Sequence, residues 1–154
     1  MVLPLLTRID HVGIACRDLD QAIGRYRATF GLEVVSLEVN EEQGVREAML
    51  AVGPGAAADV VAGRPGYVQL LEPLAPDTPV GKFLTRRGEG IHHVGYGVSD
   101  VGEALAAISG TSGAGIRLID ERPRHGSMGA SIAFLHPADL GGVLTELVQS
   151  VSST

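Results

Sequence analysis

Aromatic side chains are scarce in this chain of 154 residues: Tyr26, Phe30, Tyr67, Phe83, Tyr96 and Phe134, with no tryptophan. The core must therefore be aliphatic, and stacking platforms for single-stranded nucleic acid are excluded. Cysteine occurs once, at Cys16, so no internal disulfide can form; a lone thiol suits a reducing compartment, and a cytoplasmic location is expected. Lysine also occurs once, at Lys82, among 12 basic residues set against 18 acidic ones, giving a net charge of −6. Polyanion-binding faces carry a basic excess, so no nucleic-acid partner is expected. No long hydrophobic run is present. The apolar start, Met1 to Leu6, is cut off by Arg8 and Asp10, too soon for a signal peptide or a membrane span.

Glycine, by contrast, is abundant. Glycine and proline together take 29 positions, from 21 glycines and 8 prolines, about 19% against an average near 12%. Disorder does not follow, because 45% of residues are apolar and the mean hydropathy of +0.21 is positive. The length suits one domain or two small half-domains.

The chain is written twice. Displaced by 82 positions, Asp10-His11-Val12-Gly13-Ile14-Ala15-Cys16 falls on His92-His93-Val94-Gly95-Tyr96-Gly97-Val98. Asp18 then meets Asp100, Ala22 meets Ala104 and Ile23 meets Leu105. In the first copy a strand over Arg8–Cys16 leads to a helix capped by Asp18 with Gln21 three residues on, ending at Gly31. Its apolar positions are Leu19, Ala22, Ile23, Tyr26 and Phe30. Strands are expected at Leu32–Val39, Val45–Val52 and Tyr67–Glu72. The second copy repeats the order: a strand at Ile91–Val98, a helix capped by Asp100 and Glu103 and stopped at Gly110, and strands near Gly115–Asp120, Gly129–Leu135 and Gly142–Val148. Between them Thr78-Pro79 opens a short connecting helix that ends at Gly88. Gly53–Gly66 reads as loop and Ser150–Thr154 as a frayed tail. The expected architecture is α+β, two tandem βαβββ modules (about 7–74 and 90–149, joined by a helix at about 78–88) in a single domain spanning 1–154.

Strand parity sorts the faces. Val12, Ile14 and Cys16 share the face that buries against the helix; His11, Gly13 and Ala15 share the other. In the second copy Val94, Tyr96 and Val98 face the core, with His93, Gly95 and Gly97 opposite. Histidine beside glycine leaves room next to the imidazole. The last strand of each copy carries a polar residue among apolar ones, Gln69 and Glu146, and each needs a partner. Two histidines and two oxygen donors, His11, Gln69, His93 and Glu146, would make a first-row divalent metal site with open positions. The formal charge would be +1; a glutamate at position 69 would cancel it and weaken the ion as a Lewis acid.

Other histidines read differently. His92 falls on the core parity and is structural, His136 is a turn residue, and His125 is a loop residue that could touch ligand. Cys16 acts as a small buried hydrophobe. Glu47 shares a face with Met49 and Ala51: an acid/base if that face looks onto the metal, otherwise an ordinary solvated residue.

These residues resemble the vicinal oxygen chelate superfamily and, within it, the methylmalonyl-CoA epimerase family. The resemblance runs from about Thr7 to Val148. It is carried by Ile9-Asp10-His11-Val12, Asn40-Glu41-Glu42-Gln43-Gly44-Val45-Arg46-Glu47, Gln69-Leu70-Leu71-Glu72-Pro73-Leu74, Gly90-Ile91-His92-His93-Val94, Gly126-Ser127-Met128-Gly129 and Phe134-Leu135-His136-Pro137. It implies a glyoxalase-like metal cleft in which His11, Gln69, His93 and Glu146 hold a divalent metal. The family metal is Co²⁺ first, with Mn²⁺, Ni²⁺ or Zn²⁺ as alternatives. Glu47 is implied as a catalytic acid/base, the second being Glu146, doubling as ligand, or an ordered water.

The implied substrate is a small acyl-CoA and the implied assembly a homodimer. Substrate contacts are expected at Gln43, Arg122, Arg124, Ser127, Met128 and Gly129, where the loop could offer backbone N–H groups to an anion. Gly95, Gly97 and His125 depart from the family pattern. Competing readings are a glyoxalase-type isomerase, which would place glutamate at position 69, a ring-cleaving dioxygenase on Fe(II), and a metal-free binding protein with aromatic-lined grooves.

Overall fold

The computed structural model describes residues 5–53, 66–110 and 115–151. They fall into two compact units: residues 11–92, and the described residues of 1–10 together with those of 93–154. Most of the loop expected at 53–66 and the last three residues of the tail lie outside the described residues. No described helix is long and apolar enough to cross a membrane.

Strand β1 (Leu6–Ala15) opens the chain. Helix α1 (Leu19–Phe30) follows, its start fixed by the Asp18 carboxylate accepting from Gln21 N–H at 2.9 Å and its end by Gly31 in the left-handed conformation, φ 69°. Phe30, the last of the helically spaced apolar residues, stands 66% exposed on this last turn, against Tyr26. A hairpin of β2 (Val34–Asn40) and β3 (Val45–Val52) leads to β4 (Gly66–Pro73). Helix α2 (Pro79–Arg87) has the expected Thr78 cap and stops at Gly88. In the 11–92 unit the strand order is β2-β3-β4-β1, with β1 and β4 parallel.

The second copy gives β5 (Gly90–Val98), α3 (Val101–Gly110), β6 (Arg124–His125), β7 (Ser131–Leu135) and β8 (Thr145–Gln149), in the order β5-β8-β7-β6. Among the described residues this makes eight strands and three α-helices, an α+β chain. The strand expected at Gly115–Asp120 shrinks to a single bridge, Leu118 with Leu135. The Phe134 carbonyl accepts from both Ile119 and Asp120, and the Asp120 carboxylate takes the Phe134 N–H at 2.9 Å, so a side chain replaces the next rung of the ladder.

Both copies bury the same seven positions. The first core joins Cys16, Leu19, Ala22, Ile23, Ala48, Leu50 and Leu70; the second joins Val98, Val101, Ala104, Leu105, Ala133, Leu135 and Leu147. Each member of one list has its register counterpart in the other. Even the polar anchors repeat: Leu19 N–H, opening α1, donates to Glu72 at 2.7 Å, and Val101 N–H, opening α3, donates to Gln149 at 3.0 Å. One helix N–H group left without an intrahelical partner is thereby satisfied from the last strand of each copy.

The opposite sheet face is where the copies diverge. In the first, Ala15, Val45 and Leu71 are covered by Val80 and Leu84 of α2. In the second, Ala130, Ile132 and Val148 cluster with Phe134. Gly97, the counterpart of Ala15, has its space taken by Arg8: a Cβ there would lie 2.6 Å from Arg8 Cγ. The glycine read from sequence as room for a ligand instead admits an arginine stem.

Candidate active site

Register places the chemistry-bearing residues on this second face. Gly13 pairs with Gln69 across β1 and β4, and His11 lies two residues earlier on the same face. In the second unit Gly95 pairs with Glu146 across β5 and β8, with His93 two residues earlier. Each unit thus presents one imidazole and one oxygen-donor side chain diagonally across a parallel strand pair. His11, Gln69, His93 and Glu146 are 3, 5, 3 and 4% exposed.

Side-chain geometry sharpens both pairs. His93 Nε2 stands 3.6 Å from Glu146 Oε2, too long for a hydrogen bond between them. Two ligands on one ion at bond lengths of about 2.1 Å are separated by about 3.4 Å at the tetrahedral angle, so the spacing suits a shared cation. Phe134, paired with Glu146 in the ladder, meets the His93 ring edge-on at 5.5 Å and fixes its plane. In the first unit the Gln69 amide nitrogen donates to Glu47 Oε2 at 3.0 Å. Imidazole nitrogens with amide and carboxylate oxygens form a donor set that fits a first-row divalent ion.

Glu47 itself is 2% exposed, which excludes its reading as a solvated strand residue. It sits diagonal to Gln69, because Met49 is the residue directly opposite. The same construction in the second copy puts Ile132 at the position of Glu47 and Phe134 at that of Met49. Only one copy therefore places a carboxylate there.

The match to the model of the glyoxalase/bleomycin resistance protein/dioxygenase superfamily spans residues 10–134. The chain belongs to this superfamily. Within it, the chain is 34% identical over 147 residues to the ethylmalonyl-CoA/methylmalonyl-CoA epimerase of Cereibacter sphaeroides, covering 94% of this chain and 99% of that protein. Among solved structures it is similar to a glutamate-to-glutamine variant of Streptomyces coelicolor methylmalonyl-CoA epimerase in complex with 2-nitronate-propionyl-CoA. Identity there is 52% and the TM-score 0.86, over 96% of this chain and 99% of that one. The methylmalonyl-CoA epimerase of Mycobacterium tuberculosis is 40% identical with a TM-score of 0.85, over 99% and 93%.

The residues expected to touch substrate are more scattered. Gln43 lies in the turn between β2 and β3, its backbone N–H bonded to Asn40 Oδ1 at 3.0 Å. Ser127, Met128 and Gly129 form one turn of 3₁₀ helix in which Met128 adopts φ 57°, an uncommon value for a residue with a side chain. Arg124 is half-buried and bonds Asp120 at 3.3 Å, while Arg122 is exposed. Arg124 pairs with Ile132, in the row that continues through Val148 to Gly97.

The other singled-out residues are structural. His92 packs edge-on against Phe83, and burial pushes its imidazole down to about 4, so it stays neutral at physiological pH. His136 Nδ1 accepts from Ala138 N–H and caps the 3₁₀ turn Pro137–Asp139. Burial, and next Glu72, push the Cys16 thiol up to about 12, far from any nucleophile's range. Sequence reasoning missed Glu38, which lies directly across the ladder from Glu47, and Phe134 as the support of His93. Sorting the parity of β2 and β7 as well would have found both.

Proposed function

We propose that the chain is a metal-dependent methylmalonyl-CoA epimerase, interconverting the (R) and (S) thioesters by removing and returning the proton at C2. The observation that carries this reading is the buried Glu47–Gln69 pair beside a histidine strand, in a chain 52% identical to a methylmalonyl-CoA epimerase over 96% of its length. In this reading His11, Gln69, His93 and Glu146 hold one divalent ion, with Co²⁺ the first ion to test. The burial of the ligand histidines and of Glu146 supports it. When bound, the ion supplies electrostatic stabilisation of the negative charge that develops on the thioester oxygen.

Glu47 takes the C2 proton. Its carboxylate is oriented for this by the Gln69 amide, and burial keeps competing water away. Proton loss gives an enolate that is planar at C2; return of a proton to the opposite face inverts the centre. That return falls to a second group. The equivalent position of the second copy carries Ile132 in place of a carboxylate, so Glu146 or an ordered water takes the role. Gln43, Arg122, Arg124 and the Ser127–Gly129 turn contact the acyl-CoA. Arg124, half-buried on the site-face row of the second unit, suits an anionic ligand.

Assembly as a homodimer fits the exposed apolar side chains of the end strand β2, Val35, Leu37 and Val39. A buried, reduced Cys16 suits the cytoplasm. The test combines metal analysis of purified protein with a coupled assay that consumes only one methylmalonyl-CoA stereoisomer. The proposal expects Co²⁺-dependent conversion of the other; a protein that takes up no divalent ion and converts neither thioester refutes it.

A further inference from the structure

The Gln69–Glu47 contact has a direction. The amide nitrogen faces the carboxylate at 3.0 Å, and a carboxylate is an acceptor only, so it selects one of the two flips of the amide. The two flips are nearly identical in shape and opposite in chemistry. One turns Oε1 away from Glu47 as a potential ligand; the other turns the NH₂ there, which cannot bind a cation. The second unit has no such ambiguity. Its ligand at the matching position is Glu146, whose two ends are both oxygens, and the residue in the place of Glu47 is the alkyl Ile132. An amide ligand is thus paired with a carboxylate, and a carboxylate ligand with a hydrocarbon.

We infer that Glu47 is a positioning residue for the metal as well as a base: it locks the Gln69 amide in the flip that presents Oε1 as a ligand. This rests on the metal reading above and adds a second duty to Glu47. Neighbours that orient a ligand in this way change metal affinity by about 10–100-fold when removed.

Co²⁺ binding to the substrate-free protein tests it, followed by calorimetry and by the visible spectrum of the bound ion. Glu47→Gln keeps an acceptor but adds an NH₂ that can meet the other flip of the Gln69 amide, so it relaxes the selection, whereas Glu47→Leu keeps the volume and removes the acceptor. Wild type should bind Co²⁺ most tightly and Glu47→Leu about tenfold or more weaker, with Glu47→Gln no weaker than Glu47→Leu. In a Gln69→Glu background, where the ligand has no wrong end, Glu47→Leu should cost nothing or reverse sign. A Glu47→Leu protein that binds as tightly as wild type overturns the inference. So does an equal loss in the Gln69→Glu background. Wild type that takes up no Co²⁺ removes the metal reading, and this inference with it.

Discussion

Glu47 and Ile132 occupy one position of a repeated pattern, and the proposed chemistry rests on the difference between them. In the proposed reaction, a buried carboxylate in one copy and a buried alkyl in the other make proton transfer one-sided. Glu47→Gln should lower kcat by about 10²–10⁴, the usual contribution of a positioned acid/base, with KM little changed; turnover at saturating substrate checks this. His11 and His93 were legible because the repeat superimposes them. The Glu47–Gln69 contact was not, because face parity shows which residues share a side but not which diagonal pair bonds. His92 carries a prediction of its own. Its folded imidazole is pushed down to about 4 by burial, below its unfolded value of about 6.5. Its neutral form therefore contributes stability that is complete above pH 6.5 and is lost as pH falls from there through 4. Melting temperature plotted against pH should decline across that window, and the decline should flatten in His92→Phe, whose ring can keep the contact with Phe83.

At the scale of elements, capping chemistry made the helices readable: Asp18 and Gly31 for α1, Thr78 and Gly88 for α2, and Asp100 at the start of α3. The seven matched core positions follow from the same repeat. Leu70 and Leu147 are counterparts, 0 and 1% exposed. Truncating either to alanine should cost about 2–5 kcal/mol, and the two losses should be similar; denaturant unfolding of both variants measures them. What the sequence hid was tertiary. The Gly115–Asp120 segment has strand-like residues, yet the Asp120 carboxylate takes a ladder donor and leaves one bridge. Gly97 looked like space beside a ligand until Arg8 filled it. The role of α2 as the cover over Ala15 and Leu71 could not be read from its spacing, because that depends on which sheet face it packs against.

For the whole molecule, an abundance of glycine and a poverty of aromatics become intelligible as two copies of one small aliphatic core. The α+β class and the order of elements were readable in advance; the grouping of the described residues before His11 with the second unit was not. If the chain binds the proposed ion, bound metal should stabilise its folded state. At a free concentration 100-fold above Kd the gain should be about 2.7 kcal/mol, seen as a higher melting temperature with Co²⁺ that a chelator reverses. The central claim, metal-assisted proton transfer by Glu47, is tested most directly by hydrogen exchange. With methylmalonyl-CoA in D₂O and Co²⁺ present, wild type should wash deuterium into C2, and both chelation and Glu47→Gln should suppress it. No exchange by the Co²⁺-loaded wild type, or exchange at the wild-type rate in Glu47→Gln, would contradict the account.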